Sequence, residues 1–379
     1  MLPRGVAFLL IALNLLQAPL ALVSLVTAQD GVDKLPVLNW PVPREWLNVQ
    51  AGCGRATSTS SGTAAAAVGD GVADDTAAIQ ACFDQVSNET DKFSVYFPAG
   101  TYKVSSTLRL FRGISILIVG TGESSRIVWS GEAGGRIVVS DGLSRSRFVG
   151  LVFDGQDTAA VGFEHDSHSP GLFETRIRHQ NNKFVNFLTA GIRIGHNRTD
   201  HKLETSEVLF ENSVFANIGT QDSVVFNCTR GVLNCAGVAI ENFNDYDNTF
   251  DGCHFFNNSW GIANGGMANV YVRNSRFDSN GRKFTHRVGP AVYVYEGGDI
   301  ALAKSAGNSV RRCVSVNSTR FVASPGSETG SPTSIEGNVI DSWRGHAAIS
   351  GDLRGPYLLM DNAFTNGTIK AVKGVVYTY

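Results

Sequence analysis

The chain has 379 residues, of which 43% are hydrophobic and 17% charged, and its formal net charge at pH 7 is −2. This near-neutral balance excludes the strong electrostatic attraction by which proteins hold nucleic acids or anionic membrane surfaces. The 41 glycines indicate many short strands joined by tight turns, a composition that a solenoid can extend to this length as one domain.

The first 28 residues are typical of a secretory signal peptide. Arg4 precedes an apolar run, which ends at Val26-Thr27-Ala28 with the residue pattern that signal peptidase reads. An uncleaved membrane anchor is the alternative, but Asn14, Gln17 and Pro19 interrupt the run and favour cleavage. We therefore predict a secreted protein without membrane association after cleavage. Its predicted divisions are a signal peptide at 1–28, an extension with a Ser/Ala/Gly-rich segment at 29–68, and the main domain at 69–379.

A short amphipathic helix is predicted just after the segment Gly69–Gly71. The two glycines permit a sharp turn, and Asp74 or Asp75 can accept hydrogen bonds at the helix N-terminus. The apolar residues then recur at helical spacing, at Ile79, Cys82, Phe83 and Val86. Almost everything downstream has the pattern of strands, so we expect the helix at 75–86 to cover the open end of a strand stack.

The next segment, Val95–Tyr102, has the pattern of a strand, a turn at Pro98 and a second strand. The string GDGVADDTAAIQ, followed by VYFPAGTYKVSSTLRL and VGTGESSRI, resembles the N-terminal segment of the pectate lyase superfamily. This resemblance implies an all-β fold, a single-stranded right-handed parallel β-helix with an N-terminal capping helix. It also implies a carbohydrate-active enzyme, although polygalacturonase-like signatures such as Gly-His-Gly are not present.

A repeat begins near Phe148 and alternates two kinds of short strand. The first kind is Asn-rich and apolar, and its copies are only 22 residues apart where they are closest, as expected for coils of fixed circumference. Its copies are Leu151–Phe153, Phe184–Phe187, Asn212–Phe215, Cys253–Phe255, Asn274–Phe277, Cys313–Val316, Asn338–Ile340 and Asn362–Phe364. We interpret the phenylalanines as core residues and the asparagines as a ladder at the turns.

The second kind of strand alternates apolar and outward-facing residues. Its predicted copies are Gly191–Ile194, Gly237–Ile240, Gly261–Asn264, Ala291–Val294 and Ala348–Ser350. The inward positions are then Ile192 and Ile194, Val238 and Ile240, and Val292 and Val294. Aligning the outward positions outlines a groove lined by Arg193, His196, Glu241, Tyr293, Tyr295 and Glu296.

Acidic residues in and beside this groove are the candidate catalytic groups. Glu241 and Glu296 would lie two coils, or on the order of 10 Å, apart. The loop after Glu241 adds Asp245 and Asp247, and His196 stands at a strand exit. Crowded acids suit general acid catalysis, or they could hold Ca²⁺; an acidic solvated turn is the alternative interpretation.

Candidate substrate-binding residues surround the acids. Tyr293 and Tyr295 would offer aromatic surfaces to sugar rings, and Arg193 and Arg287 could bind uronate carboxylates. Exposed strand aromatics and loop charges are also common without any function.

Six cysteines and six sequons suit an exported protein. We predict the disulfides Cys228–Cys235 and Cys53–Cys82. Cys253 and Cys313 would lie two coils apart, beyond disulfide reach, and are predicted to be unpaired core thiols. The candidate glycosylation sites are Asn88, Asn197, Asn227, Asn257, Asn317 and Asn366.

Two classes of function remain open on the sequence. The first is a secreted, monomeric enzyme that cleaves a cell-wall polysaccharide by hydrolysis, or by β-elimination of a polyuronide with Ca²⁺ and a basic residue. The second is a non-catalytic extracellular β-helix that binds glycan or serves a structural role.

Overall fold

A computed structural model describes residues 34–43, 45–53, 65–88, 94–166, 173–195, 205–219, 235–241, 247–266, 268–281, 284–288, 291–295, 297–302, 307–324, 333–342, 347–351, 357–366, 368–369 and 376–378. None of the helices in these residues is long and apolar enough to cross a membrane.

The described residues form three parallel sheets, called A, B and C, that the chain visits in turn. Sheet A contains β1 Leu47–Asn48, β3 Ser94–Tyr96, β6 Leu117–Val119, β9 Arg147–Val149, β12 Glu174–Gln180, β15 Thr205–Glu211, β18 Asn248–Asp251, β21 Val270–Arg273, β26 Ser309–Arg311, β29 Thr333–Glu336, β32 Tyr357–Met360 and β35 Val376–Thr378. Sheet B contains β2 Asp70–Asp74, β4 Gly100–Val104, β7 Ser125–Trp129, β10 Val152–Asp154, β13 Lys183–Val185, β16 Val214–Ala216, β19 His254–Phe256, β22 Arg276–Asp278, β27 Val314–Ser318, β30 Val339–Ser342 and β33 Ala363–Asn366. Sheet C contains β5 Leu108–Phe111, β8 Arg136–Asp141, β11 Val161–His165, β14 Ala190–Ile194, β17 Ala236–Ile240, β20 Trp260–Asn264, β25 Gly298–Leu302, β28 Val322–Ser324, β31 Ala347–Gly351 and β34 Thr368–Ile369.

This arrangement is a right-handed parallel β-helix, as the sequence predicts. Each strand pairs in parallel with the corresponding strand one coil away, and such crossovers are right-handed almost without exception. All eight predicted Asn-rich strands lie in sheet B, which confirms the repeat.

Aromatic rings stack along the inside of sheet B. The rings of Phe153, Phe184, Phe215, Phe255 and Phe277 follow one another at centroid distances of 4.8 to 5.3 Å. All five are buried, so the predicted phenylalanine core is confirmed.

The inner face of sheet C carries the predicted aliphatic column. Ile192, Val238 and Ile262 are paired in register and fully buried. Ile194 and Ile240 follow on the same face, as expected from the alternation.

Asparagines bond to each other from coil to coil at a turn that follows sheet B. Asn217 Nδ2 donates to Asn186 Oδ1 at 3.3 Å, and Asn257 Nδ2 donates to Asn217 Oδ1 at 2.6 Å. All three have positive φ, which asparagine tolerates better than most residues. The predicted Asn ladder is therefore present.

The predicted helix is found as α1, Thr76–Asn88, and it lies against the first strand of sheet C. Ile79, Cys82, Phe83 and Val86 are buried in the core, as their spacing predicts. Gln80 Oε1 accepts from the backbone amide of Arg109 at 2.8 Å, and Ser87 Oγ accepts from that of Phe111 at 3.2 Å. Side chains of α1 thus satisfy amide groups on the open edge of β5.

The segment that leads into α1 is fixed by covalent and polar contacts. The predicted Cys53–Cys82 disulfide is present, with 5.3 Å between the Cα atoms. The Asp75 carboxylate accepts from the amides of Val68 at 2.6 Å and Gly69 at 3.1 Å. Gly69 and Gly71 both have positive φ, as the predicted sharp turn requires.

The other predictions about cysteines concern two core thiols and a second disulfide. Cys253 and Cys313 are free and buried, so they are unpaired core thiols as predicted. Burial raises the pKa of each thiol to about 12, which keeps both in the unreactive neutral form. Cys235 is disulfide-bonded, and Cys228 lies outside the described residues.

One predicted strand is not part of the solenoid. Ala291–Tyr295 forms β24, which pairs antiparallel with β23, Phe284–Val288, in a separate hairpin. The expected inward positions Val292 and Val294 are therefore wrong. The place next to β20 is taken by β25, in which Ile300 supplies the inward residue.

Candidate functional site

The outer face of sheet C changes character along the solenoid. One outward column, read from coil to coil in register, contains Arg109, Val139, Glu164, Arg193, Ala239, Ala263, Ala301 and Ala323. Three charged side chains and one valine therefore occupy the first four of these positions, and alanines occupy the later ones. The four alanines are buried.

A ladder of ion pairs joins the charged side chains. Arg136 Nη1 lies 2.8 Å from Glu164 Oε1, and Arg193 Nη1 lies 3.7 Å from Glu164 Oε2. Arg193 Nε lies 3.2 Å from Glu241 Oε1. The Glu164 side chain is fully buried, and those of Arg193 and Glu241 are only 12% and 10% exposed. Charges removed from water to this extent need one another, so the ladder holds its members in fixed positions.

A second outward column lies at the carboxyl ends of the same strands. The residues Ser140, His165, Ile194 and Ile240 are paired in register on neighbouring strands. The next residue of each strand therefore falls in the second column, and these residues are Asp141, Asp166, Gly195 and Glu241. Backbone hydrogen bonds continue the register, since Asp166 N donates to Ser140 O and Glu241 N donates to Ile194 O. Three carboxylates thus share one edge of the sheet with a glycine among them.

The spacing along this column follows from the fold. Stacked strands lie about 4.8 Å apart, so Asp141 and Asp166 are neighbours, and Asp166 and Glu241 are about 9.6 Å apart along the stack. Gly195, between the latter two, has no side chain to fill the gap. Phe111, which pairs with Asp141, is 38% exposed at the other end of the column.

A buried polar network lies behind Asp166, on the inner face of β11. His165 Nδ1 lies 3.0 Å from Ser140 Oγ and 3.0 Å from Glu174 Oε2, and its Nε2 lies 2.9 Å from His179 Nε2. All four side chains are fully buried. Burial, and secondarily the neighbouring His165, hold the pKa of His179 well below its ordinary value, so His179 is neutral. The network fixes the strand that carries Glu164 and Asp166.

Arg193 and the predicted catalytic residues divide into three groups. Arg193 and Glu241 lie together in the outward columns. Asp247 is described, and its Oδ1 accepts from Tyr271 Oη at 3.2 Å; burial, followed by the Asp247 charge, raises the pKa of Tyr271. The residues that lie outside the described part of the chain are His196, Asp245 and Glu296.

The aromatic residues assigned to the groove floor lie elsewhere than predicted. Tyr293 and Tyr295 belong to the hairpin strand β24, where Tyr293 pairs with His286, and Arg287 lies on β23. They are not in register with Arg193 and Ala239, whose column continues instead to Ala301. The predicted alignment of these tyrosines along sheet C is therefore wrong, and their role in binding remains a prediction.

Calcium binding also remains a prediction. Within the described residues, no three His, Cys, Asp or Glu side chains are arranged to hold a metal ion. Asp245, one of the candidate ligands, is outside these residues. Glu241, another, is paired with Arg193.

Sequence reasoning missed Glu164, Asp166 and Asp141. The signal was present, because Gly162-Phe163-Glu164-His165 has the same form as Gly191-Ile192-Arg193-Ile194 except for a histidine at the second inward position. A histidine there breaks the apolar alternation. It is accepted inside because Ser140 and Glu174 bond to it.

Comparisons with known proteins give the same architecture. The chain is similar to ORF18 of Geobacillus virus E2, with a TM-score of 0.54 and 16% identity, covering 88% of this chain and 60% of that protein. It is also similar to an alginate lyase from Paenibacillus sp. str. FPU-7, with a TM-score of 0.51 and 13% identity, covering 79% of this chain and 96% of the lyase. No curated protein matches it significantly in sequence.

The chain therefore spans less than two thirds of the viral protein, and both likenesses concern the fold. A family model gives the more specific result, because it matches residues 63–307, which include every strand that carries the charged columns. Together with the three parallel sheets, this match shows that the chain belongs to the rhamnogalacturonase A/epimerase, pectate lyase-like family of right-handed β-helix proteins.

Proposed function

We propose that the protein is a secreted enzyme that hydrolyses a glycosidic bond in a uronate-containing cell-wall polysaccharide, at the acidic edge of sheet C. Family membership supports a carbohydrate-active protein. The lyase that shares the fold acts on alginate, a uronate polymer, according to its name.

The observation that carries the proposal is the pair Asp166 and Glu241 on either side of Gly195. Their backbones are about 9.6 Å apart along the stack. Inverting glycosidases hold their two carboxyl groups roughly 6.5–9.5 Å apart, which leaves room for a water molecule beside the sugar. A small lean of either side chain brings the pair into that range.

The two acids have different surroundings, which suggests their roles. The carboxylate of Glu241 is balanced by Arg193 at 3.2 Å, so its ionised form is supported and it can accept a proton from the attacking water. Asp166 has a second carboxylate, Asp141, as its neighbour in the column. We assign it as the acid that donates a proton to the leaving oxygen.

Arg193 has a positioning role in this scheme. It lies between Glu164 and Glu241 and also donates from Nη2 to Thr189 Oγ1 at 3.2 Å. With both ends fixed, it holds Glu241 in one orientation. The predicted residues His196, Asp245 and Glu296 are kept as further candidates, and so are Asp247, Tyr293, Tyr295 and Arg287.

The experiment is a product assay on polygalacturonate, rhamnogalacturonan and alginate, with a neutral glucan as the comparison substrate. Hydrolysis gives one new reducing end per cut and no unsaturated product. An unsaturated uronate would assign β-elimination instead, and dependence on added Ca²⁺ would then support the calcium prediction. Activity only on the neutral glucan would contradict the substrate class.

A non-catalytic glycan-binding protein is the second candidate, and one observation favours it. Arg136 and Arg193 already pair with Glu164 and Glu241, so the ladder is balanced without any ligand. Binding of a polysaccharide without cleavage in the same assay would support this role.

Secretion is part of the proposal. The Cys53–Cys82 disulfide and the bonded Cys235 suit an oxidising compartment. N-terminal sequencing of protein from the medium should show a chain that begins at Gln29. A chain that retains 1–28 would contradict the cleavage.

A further inference from the structure

We infer that a second site, separate from sheet C, binds the carboxylates of an anionic polysaccharide at the corner between sheets A and B. A cavity of about 510 Å³ lies there, within the size range of small-ligand sites. It is lined by Asp251, Arg273, Asn274, Arg311, Arg312, Glu336, Gly337 and Asp361. We call it the corner site.

The charges of the corner site are arranged in order along the coils. The outward ends of four neighbouring sheet A strands carry Asp251, Arg273, Arg311 and Glu336, paired in register. Two arginines therefore stand side by side about 4.8 Å apart, with one acid beyond each. A polymer with repeated carboxylates can lie along such a row.

The two acids bind the arginines from the side and leave their ends available. Arg273 Nε lies 2.8 Å from Asp251 Oδ2, and Arg311 Nε lies 3.2 Å from Glu336 Oε2. The terminal nitrogens of Arg273 have no partner among the described residues, and one of Arg311 lies 3.5 Å from Ser334 Oγ. More than half of each arginine side chain is exposed. Guanidinium ends held in this way suit two-point binding of a carboxylate.

Arg312 provides an independent argument, because its backbone has φ +52°. The residues at this corner in seven other coils also have positive φ, and they are Gly150, Asn181, Asn212, Gly252, Asn274, Gly337 and Asp361. Those residue types tolerate the left-handed region, whereas a left-handed conformation costs most others about 1–2 kcal/mol. Strained residues cluster at functional sites. Arg112, Arg145 and Arg176 also have positive φ, but they do not line the cavity.

The side chain of Arg312 is exposed and has no ion pair or hydrogen bond with the described residues. Gly337, one coil further, has no side chain, and the nearest atom to a Cβ there would be Arg312 Cγ at 3.9 Å. Within the described part of the chain, Arg312 is thus a cation without a charged partner, next to a position that has no side chain. Asp361 and Asn274 add oxygen and amide groups for sugar hydroxyls, so the ligand is both anionic and polyhydroxylic.

The test measures retardation by polygalacturonate in affinity electrophoresis. All variants carry Glu241→Gln, so that cleavage does not alter the probe. Arg312→Gly is the main variant, because glycine is already the residue at Gly252 and Gly337 and relieves the backbone. We expect Arg312→Gly combined with Arg311→Gln to bind at least about tenfold more weakly, which is the effect of roughly 1.4 kcal/mol.

The matched control is Arg178→Gln, which removes an arginine that pairs with Glu211 at 3.3 Å on the same sheet but outside the cavity. Its binding should equal that of the parent, and circular dichroism should show all variants folded. Equal binding by the corner variants and the parent would overturn the inference. The inference would also be overturned if inorganic phosphate displaced the polymer at the same concentration that galacturonate oligomers require. The site would then be a general anion site. The test measures binding and not cleavage. The corner site can therefore be confirmed even if the proposed enzyme activity is not found.

Discussion

The first and the later coils of the solenoid differ on the outer face of sheet C. In the first coils the outer column carries Glu164 and Arg193, and the column beside it carries Asp166 and Glu241. In the later coils the outer column carries alanines, and a carboxyl group, Asp299, is buried inside.

The backbone of the two regions is the same, so the difference lies in the side chains. Asp299 stands where earlier coils have the glycines Gly162, Gly191, Gly237 and Gly261, and it accepts from Asn280 at 2.9 Å and from Ser315 at 2.5 Å. Ser315 in turn stands in the phenylalanine column. The polar group inside the coil is thus explained by the side chains that bond to it. The charged groups on the outer face are the ones that a ligand can contact.

The largest effect is expected for the outer acids. Asp166→Asn and Glu241→Gln should each lower kcat by roughly 10²- to 10⁴-fold, because each removes one proton transfer. Unfolding curves should show that both variants remain folded. Glu207→Gln, at an exposed acid of sheet A, is the matched control and should keep full activity. Full activity of both site variants would show that these acids have a structural role only.

The buried carboxyl of the later coils should give a pH-dependent stability. Burial raises the pKa of Asp299 to about 7 from 3.8, so its neutral form is favoured in the folded state. Its contribution is therefore fully present below pH 3.8 and is lost as the pH rises through 7. At about 1.4 kcal/mol per pH unit, the loss is up to about 4 kcal/mol.

Urea denaturation at several pH values measures this contribution. Asp299→Asn should be more stable than the parent at pH 8, and its stability should vary less between pH 4 and pH 8. Parallel pH profiles for the parent and the variant would mean that Asp299 does not titrate in this range.

A smaller effect on stability is expected in the outer ladder. Arg193→Gln leaves the buried Glu164 with Arg136 alone, which should cost about 2–3 kcal/mol, less than the 3–5 kcal/mol typical of a fully broken buried pair. The double variant Glu164→Gln/Arg193→Gln should recover part of this loss. Additive losses in urea denaturation would contradict the coupling.

The smallest effect is expected at the edge of the outer column. Phe111 is 38% exposed and pairs with Asp141, so a sugar ring that extends past the acids would cover it. Phe111→Ala should raise KM by roughly fivefold, about 1 kcal/mol, with little change in kcat. Phe173→Ala, at an exposed phenylalanine outside sheet C, should change neither constant.

The same contrast explains what the sequence could predict. The sequence pattern identified the strands that begin with glycine and then alternate apolar inward residues with outward residues, as in Gly191–Ile194 and Gly237–Ile240. Strands in which a polar residue replaces one of these were missed, as with His165 in β11 and Asp299 in β25. Their partners Glu174 and Ser315 lie 9 and 16 residues further along the chain, on strands of other sheets, so the pattern within one strand does not reveal them.

The error at Ala291–Val294 has the same origin. That segment alternates as a solenoid strand does, but a hairpin strand alternates with the same period. The true strand, β25, begins with Gly298-Asp299, which does not have the apolar pattern. The prediction that Arg193 and Glu241 lie together on the outer face of sheet C is therefore confirmed, whereas its continuation to Tyr293 and Tyr295 followed the wrong strand.

The most direct test of the central claim is the configuration of the first product, followed by NMR as a uronate oligosaccharide is cleaved. Two acids about 9.6 Å apart on either side of Gly195 predict hydrolysis with inversion at the anomeric carbon. A retained configuration would assign the chemistry to a closer pair such as Asp141 and Asp166. An unsaturated product, or no cleavage of any uronate polysaccharide, would contradict hydrolysis at this edge of sheet C.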